Sequence, residues 1–259
     1  MSLSWTRMFL LLPALAISAA ALPHERREVP ATAEPIITPA ECLHHNPEVQ
    51  DGTLVAQLWR QNCDLVTKFL HNAFTAAQAA QTSKGTLESL QYYFIQDYYY
   101  LTLTVPHKAY LLKSLDPDES ATDQTSAINE TVLDMTSDLE YASHFRQDLT
   151  SPDHLNVSST VVKNAKLEPV LRQYVDWLGE NTKLGWYLFS VSRVPCIYGW
   201  AEIAYQLNQS SSTVRVELQE VLSANNNIET FAVANGLFRQ ALEFETAFFE
   251  SAVGKVLED

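Results

Sequence analysis

Basic residues never gather in this chain: no stretch of five or more of them occurs in its 259 residues, and the formal net charge is -14. A surface of that sign repels a phosphate backbone, which excludes nucleic acid as a partner. Histidine stops early, all seven lying at or before His154. Carboxylate-bridged metal sites draw imidazoles and carboxylates from several helices, so no metal and no cofactor is expected. Glycine is scarce, at seven residues, strand-type alternation is almost absent, and no internal repeat is visible. Sheet architectures are thereby excluded, and an all-α bundle is expected.

A membrane-spanning run is missing too. The apolar segment Met8–Ala21 is 14 residues long, short of the roughly 20 needed to cross a bilayer. Short, positive Met1–Arg7 precedes it, Ala19, Ala20 and Ala21 end it, and His24, Glu25, Arg26 and Arg27 follow. This is the layout of a cleavable signal peptide, residues 1–21, so the mature chain is expected to be secreted and free of the membrane. Cleavage removes Arg7, taking the charge of -14 to -15. Three sequons, at Asn129, Asn156 and Asn208, are glycan acceptors in such a compartment. Arg26-Arg27 also offers a dibasic processing site.

Residues 22–52 hold five of the eleven prolines and read as a propeptide or extended arm. From residue 53 to 259 one helical domain is expected. Leu54, Leu58, Leu65 and Phe69 predict a first helix running to about Gln81. A tyrosine-rich second helix spans Thr86–Leu115, kinked near Pro106, and a third runs from after Pro117 to Leu149, with Val132, Leu133, Met135, Leu139 and Phe145 as its apolar members. Leu167–Leu178, closed by Gly179, is the fourth. Lys183–Leu207, apolar on most sides, is the fifth and the expected centre of the bundle. Val214–Leu222 and Ile228–Val256 complete the set.

Three helical stretches carry reactive groups among apolar ones, where polarity costs stability. Tyr93, Asp97 and Tyr100 share one face, a carboxylate between two phenols. Cys196, Trp200 and Ile203 share another, with Glu202 displaced. Glu245, Phe248 and Phe249 share a third, with Glu243 on another side. A thiol, two carboxylates and aromatic walls suit nucleophilic attack on a flat heteroaromatic substrate. The bland readings are a buried hydrophobic cysteine, a tyrosine-bonded Asp97, a solvated Glu245 and core tyrosines with polar tips. Spacing alone does not choose between them.

Gly85-Thr-Leu followed by Leu90-Gln-Tyr-Tyr-Phe-Ile-Gln-Asp-Tyr-Tyr-Tyr-Leu101 resembles the signature segment of the TenA, or thiaminase II, family. Val194-Pro-Cys-Ile-Tyr-Gly-Trp-Ala-Glu-Ile203 and Glu245-Thr-Ala-Phe-Phe-Glu-Ser-Ala252 are similar to its two later segments, and Glu140 with His144 to a pair in its middle helix. The resemblance implies a heme-oxygenase-like multi-helix bundle without heme. It also implies a hydrolase that cleaves an aminopyrimidine, thiamin or a thiamin degradation product, between the pyrimidine methylene and its substituent. By position, Cys196 would be the nucleophile and Glu245 the proton donor and acceptor. Asp97 would bind the ring, and Tyr93, Tyr100, Trp200 and Phe248 would line the pocket. Relatives commonly form tetramers, which implies a homo-oligomer here.

The chain departs from the family at Trp200, where a tyrosine is usual, and at Asn225-Asn226-Asn227, where the family's loop has an aromatic. A secreted binding or interaction protein that has lost catalysis is therefore the rival expectation. A di-iron oxidase using Glu140 and His144 is disfavoured by the histidine distribution, and a heme oxygenase by the want of glycines spaced by four. With Cys196 as nucleophile, Cys42 and Cys63 are expected to pair and tie the arm to the first helix. The alternative is that Cys42 leaves with a propeptide and Cys63 stays a buried thiol.

Overall fold

The computed structural model describes residues 42, 53–80, 84–114, 118, 120–208 and 228–257. The leader, the arm apart from Cys42, the Arg26-Arg27 pair, the expected helix at 214–222 and Asn225–Asn227 lie outside them. Among the described residues there is no strand, and nine α-helices follow one another: α1 Leu54–Gln61, α2 Cys63–Leu70, α3 Ala73–Ala80, α4 Lys84–Leu111, α5 Ala121–Thr150, α6 Ser159–Asn164, α7 Pro169–Asn181, α8 Gly185–Asn208 and α9 Ile228–Ser251. None of them is long and apolar enough to cross a membrane. The all-α bundle expected from the sequence is what forms.

The first expected helix is three short ones, and two asparagines break it. Asn62, fully buried, donates from Nδ2 to Leu58 O (2.6 Å) and Asn235 Oδ1 (2.7 Å), while its own Oδ1 accepts from Arg239 (2.9 Å). Asn72 donates to Phe69 O (2.7 Å) and caps α3 by accepting from the Thr75 amide (3.0 Å). Side-chain amides that satisfy backbone groups compete with the helix ladder. The partners Asn235 and Arg239 are on α9, so the break is a tertiary event that apolar spacing does not encode. Arg239 also pairs with Asp64, locking α2 against α9.

The expected stop at Gly179 is also displaced: α7 continues to Asn181, a 3₁₀ turn covers Thr182–Leu184, and Gly185 with φ 82° ends the passage. Gly179 serves close packing, since a Cβ there would lie 3.1 Å from His107 Nε2. Gly199 does the same for α8, where a Cβ would sit 2.5 Å from the Phe69 ring.

α8 and α9 run along each other at the centre, α2 and α7 flank α9, and α4 lies between α5 and α7. Trp59, Phe69, Phe74, Phe189, Phe238, Phe248 and Phe249 form the buried aromatic core. α5 packs chiefly on α4, so Val132, Leu133 and Leu139, apolar in sequence, stand exposed at the edge of the bundle. Cys42 and Cys63 form a disulfide with Cα atoms 5.4 Å apart, and Cys196 is a free thiol. Closing a loop of this length contributes about 3 kcal/mol by restricting the unfolded chain.

One side of α4 clamps the segment that leads into α7. Buried Gln96 donates to Lys166 O (2.8 Å) and accepts from the Glu168 amide (2.9 Å). Gln91 donates to Leu155 O (2.7 Å), and Tyr99 OH to Val162 O (2.8 Å). Tyr92 OH and Lys255 both bond the Glu168 carboxylate. These bonds fix the angle at which α7 meets α4, and with it the far wall of the site.

Candidate active site

The opposite side of α4 presents Tyr93, Asp97 and Tyr100, one above another at helical spacing. The structure brings them to Cys196 and Trp200 of α8 and to Glu245 and Phe248 of α9. Every residue assigned to the site from the sequence therefore meets in one place between the three helices.

The upper part is a slab of rings. Tyr93 stacks on Phe249 with centroids 4.9 Å apart and planes within 8°, and Phe248 lies 4.6 Å away on it. Trp200 contacts both Tyr93 (5.4 Å) and Phe249 (5.2 Å), and its Nε1 donates to Tyr93 OH at 3.0 Å. Offset and tilted pairs of this kind are each worth about 0.5–1.5 kcal/mol beyond burial. The indole bond gives the buried Tyr93 hydroxyl a partner and fixes both rings as a wall.

The lower part is polar and unfinished. Tyr100 and Glu245 both come close to the Cys196 sulfur, and Tyr174 of α7 comes close to the Glu245 carboxylate. These groups lean on one another at a geometry short of a well-formed hydrogen bond. Tyr100 OH, Tyr174 OH and one Glu245 oxygen are buried without partners. Buried polar atoms are nearly always satisfied, so three orphans around one thiol mark a place where a ligand or water belongs. Asp97 and Cys196 keep some accessibility while Glu245 is 1% exposed, so Glu245 is the innermost of the three.

Burial sets the electrostatics. It lifts the Asp97 carboxyl to about 7 and the Glu245 carboxyl to about 8, the Asp97 charge adding to the rise at Glu245. Cys196 is pushed well up, by burial first and then by Glu245 and Asp97. Tyr93, Tyr100 and Tyr174 are raised by burial as well, so they stay neutral donors. The site thus holds its protons near neutrality, and a thiolate forms there when its proton passes to an adjacent carboxylate. Two carboxyls poised near the working pH can each give or take a proton.

Two members of the wall were not singled out from the sequence. Tyr174 stacks between Tyr100 (5.4 Å) and Phe244 (5.1 Å). Tyr141 of α5, half-buried, faces Asp97 and Cys196 closely enough to be raised by their charges after burial. Both stand in apolar register, Tyr174 with Leu171, Val175 and Leu178, so nothing in spacing distinguishes them from core.

Other candidates lie elsewhere. Glu140 and His144 are exposed on α5, and no group of three or more His, Cys, Asp or Glu that could hold a metal forms among the described residues. Glu202 is fully buried, accepting from Tyr198 OH at 3.3 Å in the core beside Trp59. Glu243 is exposed. The sequon residues Asn129 and Asn156 are exposed, Asn156 at φ 53°; Asn208 ends α8, its side chain outside the described residues.

The TENA/THI-4/PQQC family model matches residues 79–227, more than half of the chain. The match contains Asp97 and Cys196 and stops short of Glu245, which the fold then supplies. No curated protein matches. Among solved structures, a TenA homologue from P. horikoshii superposes with a TM-score of 0.55 at 16% identity, covering 78% of this chain and 100% of that one. A TenA homologue from Pseudomonas syringae gives 0.58 at 10% identity, covering 82% and 98%. At such identities the likeness is one of fold.

Proposed function

The chain belongs to the TENA/THI-4/PQQC family, and from that premise we propose that it is a secreted, thiaminase II-like hydrolase that cleaves an aminopyrimidine at its exocyclic methylene. The observation that carries this reading is the set of unpartnered Tyr100, Tyr174 and Glu245 atoms ringing the free Cys196 thiol under an aromatic slab. Aromatic walls suit a flat ring, and Asp97 at about 7 is suited to bond its amino group and ring nitrogen.

The reaction follows from these positions. The ionised Glu245 carboxylate takes the Cys196 proton as the sulfur adds to a ring carbon, and the protonated Asp97 carboxyl donates to the ring nitrogen on which negative charge develops. The methylene–nitrogen bond then breaks, and the departing amine takes the Glu245 proton. Water adds to the exposed methylene, returning a proton to Glu245, and the sulfur leaves the ring and regains it. The sum is amine replaced by hydroxyl. Tyr174 is placed to steady Glu245 through both protonation states.

Export is part of the same proposal. The Met1–Ala21 leader and the exposed sequon residues Asn129 and Asn156 support a glycosylated, secreted protein. A second reading, a pyrimidine binder without turnover, is favoured by Trp200, whose Nε1 is committed to Tyr93 OH where relatives resembling this chain usually carry a phenol. Incubating the secreted protein with thiamin and with aminomethyl-aminopyrimidine separates the two. Release of the hydroxymethyl pyrimidine by wild type and none by Cys196→Ser is expected; binding without product from either substrate would reject the hydrolase.

A further inference from the structure

We propose that a glycan on Asn129 covers the outer face of α5, so that this sequon is a masking site that keeps an apolar helix face from binding other proteins and further copies of the chain. This rests on the reading that the chain is exported. The orientation of α5 is fixed by what it gives to α4. Phe145 meets Phe94 with centroids 5.3 Å apart, and Asp134 (2.5 Å) and Asp138 (2.6 Å) both pair with Lys108. At about 100° per residue those three positions share one side of α5, and Asn129 and Thr136 stand on the side opposite.

That opposite side is apolar for much of its length. Val132 (52% exposed) and Leu133 (66%) flank its midline, with Ile128 (42%) and Leu139 (53%) at its margin, none of them covered by any described residue. Thr125 and Thr136 lie on it too, but they turn their hydroxyls onto the helix's own carbonyls, at Ala121 O (2.7 Å) and Val132 O (2.8 Å). Their donors are therefore already spent. Large aliphatics gathered in this way on a soluble protein mark a contact surface or a liability to associate.

Asn129 is exposed in the middle of this surface, and Val132 and Leu133 follow it by three and four residues, one turn along the same face. The sequon Asn129-Glu130-Thr131 has no proline, and a glycan attached there is bulky and hydrated. Standing over the aliphatics, it prevents a second protein surface from closing on them. The outer face of α5 is thereby excluded from any close interface between copies of the chain. Asn156 provides the contrast. It is exposed in the loop before α6, at φ 53°, and its neighbours Leu155 and Val157 are buried, so a glycan there masks no apolar face.

The full chain, secreted from a eukaryotic host, is suited to the test, with occupancy mapped by peptide mass spectrometry and solution mass followed by light scattering against concentration. The net charge of -14 opposes association at low salt, so the measurement belongs at physiological ionic strength, where screening acts over about 8 Å. Wild type is expected to carry a glycan at Asn129 and to hold one mass as concentration rises. Asn129→Gln and Thr131→Ala, which remove the acceptor in two ways, are expected to gain mass about twofold or more and to bind more apolar dye. Asn156→Asp is expected to match wild type, and adding Leu133→Glu to Asn129→Gln to restore the wild-type mass. A bare Asn129 beside a glycosylated Asn156 would overturn the proposal and leave export standing, whereas bare asparagines at both would remove export as well. Glycan-free variants that keep the wild-type mass and dye binding would overturn the masking role even with Asn129 occupied.

Discussion

Along α4, Gln91, Tyr92, Gln96 and Tyr99 face the segment leading to α7, and Tyr93, Asp97 and Tyr100 face α8 and α9. The residue types are much the same, but what their polar atoms meet is not. On the clamp side the amides and phenols end on backbone or carboxylate partners. On the site side Tyr93 has a well-formed bond, to Trp200, while Tyr100 OH only leans on the thiol without one. A satisfied polar group stabilises the fold, and an unsatisfied one is held ready for something else. The comparison teaches that composition of a helix face does not reveal its purpose; completeness of its hydrogen bonding does.

Substitutions on the two sides should therefore separate activity from stability. Cys196→Ser should abolish turnover, a loss of about 10⁴-fold or more in kcat, with thermal melting close to wild type; this is checked by product assay and calorimetry. Glu245→Gln should cost about 10²–10⁴ in kcat through the lost proton transfer, read in the same assay. Tyr174→Phe removes a hydroxyl whose approach to Glu245 falls short of a well-formed hydrogen bond, so melting should change little while kcat falls about 10-fold. On the clamp side Gln96→Leu should do the reverse. It strands the Lys166 carbonyl and the Glu168 amide at about 2 kcal/mol, lowering the melting temperature by roughly 4–8 °C with catalysis intact at 25 °C. A clamp variant that loses turnover without losing stability would erase the distinction.

A smaller effect concerns pH. Asp97 and Glu245 are raised in the folded state to about 7 and about 8. Between roughly pH 4 and 8 the native site therefore binds more protons than the unfolded chain, and the unfolding free energy falls as pH rises through that window. Asp97→Asn should make the decline shallower, measured by urea unfolding at several pH values. An unchanged slope would place Asp97 in a better solvated setting than the buried one described.

Helix existence was legible in the sequence because apolar spacing records which face each helix buries. Boundaries were less so: Asn62 breaks the first helix through bonds to Asn235 and Arg239, about 175 positions away in the chain, and Gly179 serves His107 instead of ending α7. In the site, Asp97, Cys196 and Glu245 stood out because ionisable groups in apolar helical stretches need a reason. Tyr174 and Tyr141 did not, because a phenol in core register looks like packing until the facing helix is known. Val132, Leu133 and Leu139 misled in the other direction, since an apolar residue marks a buried face only where a neighbour covers it.

The division between the two sides of α4 is tested most directly by titrating the hydroxymethyl aminopyrimidine product into wild type, Asp97→Asn and Tyr99→Phe by calorimetry. Wild type and Tyr99→Phe should bind alike, and Asp97→Asn should bind at least about 10-fold more weakly, the loss of one charge-assisted hydrogen bond. Equal binding by all three proteins would contradict the placement of the ring against Asp97.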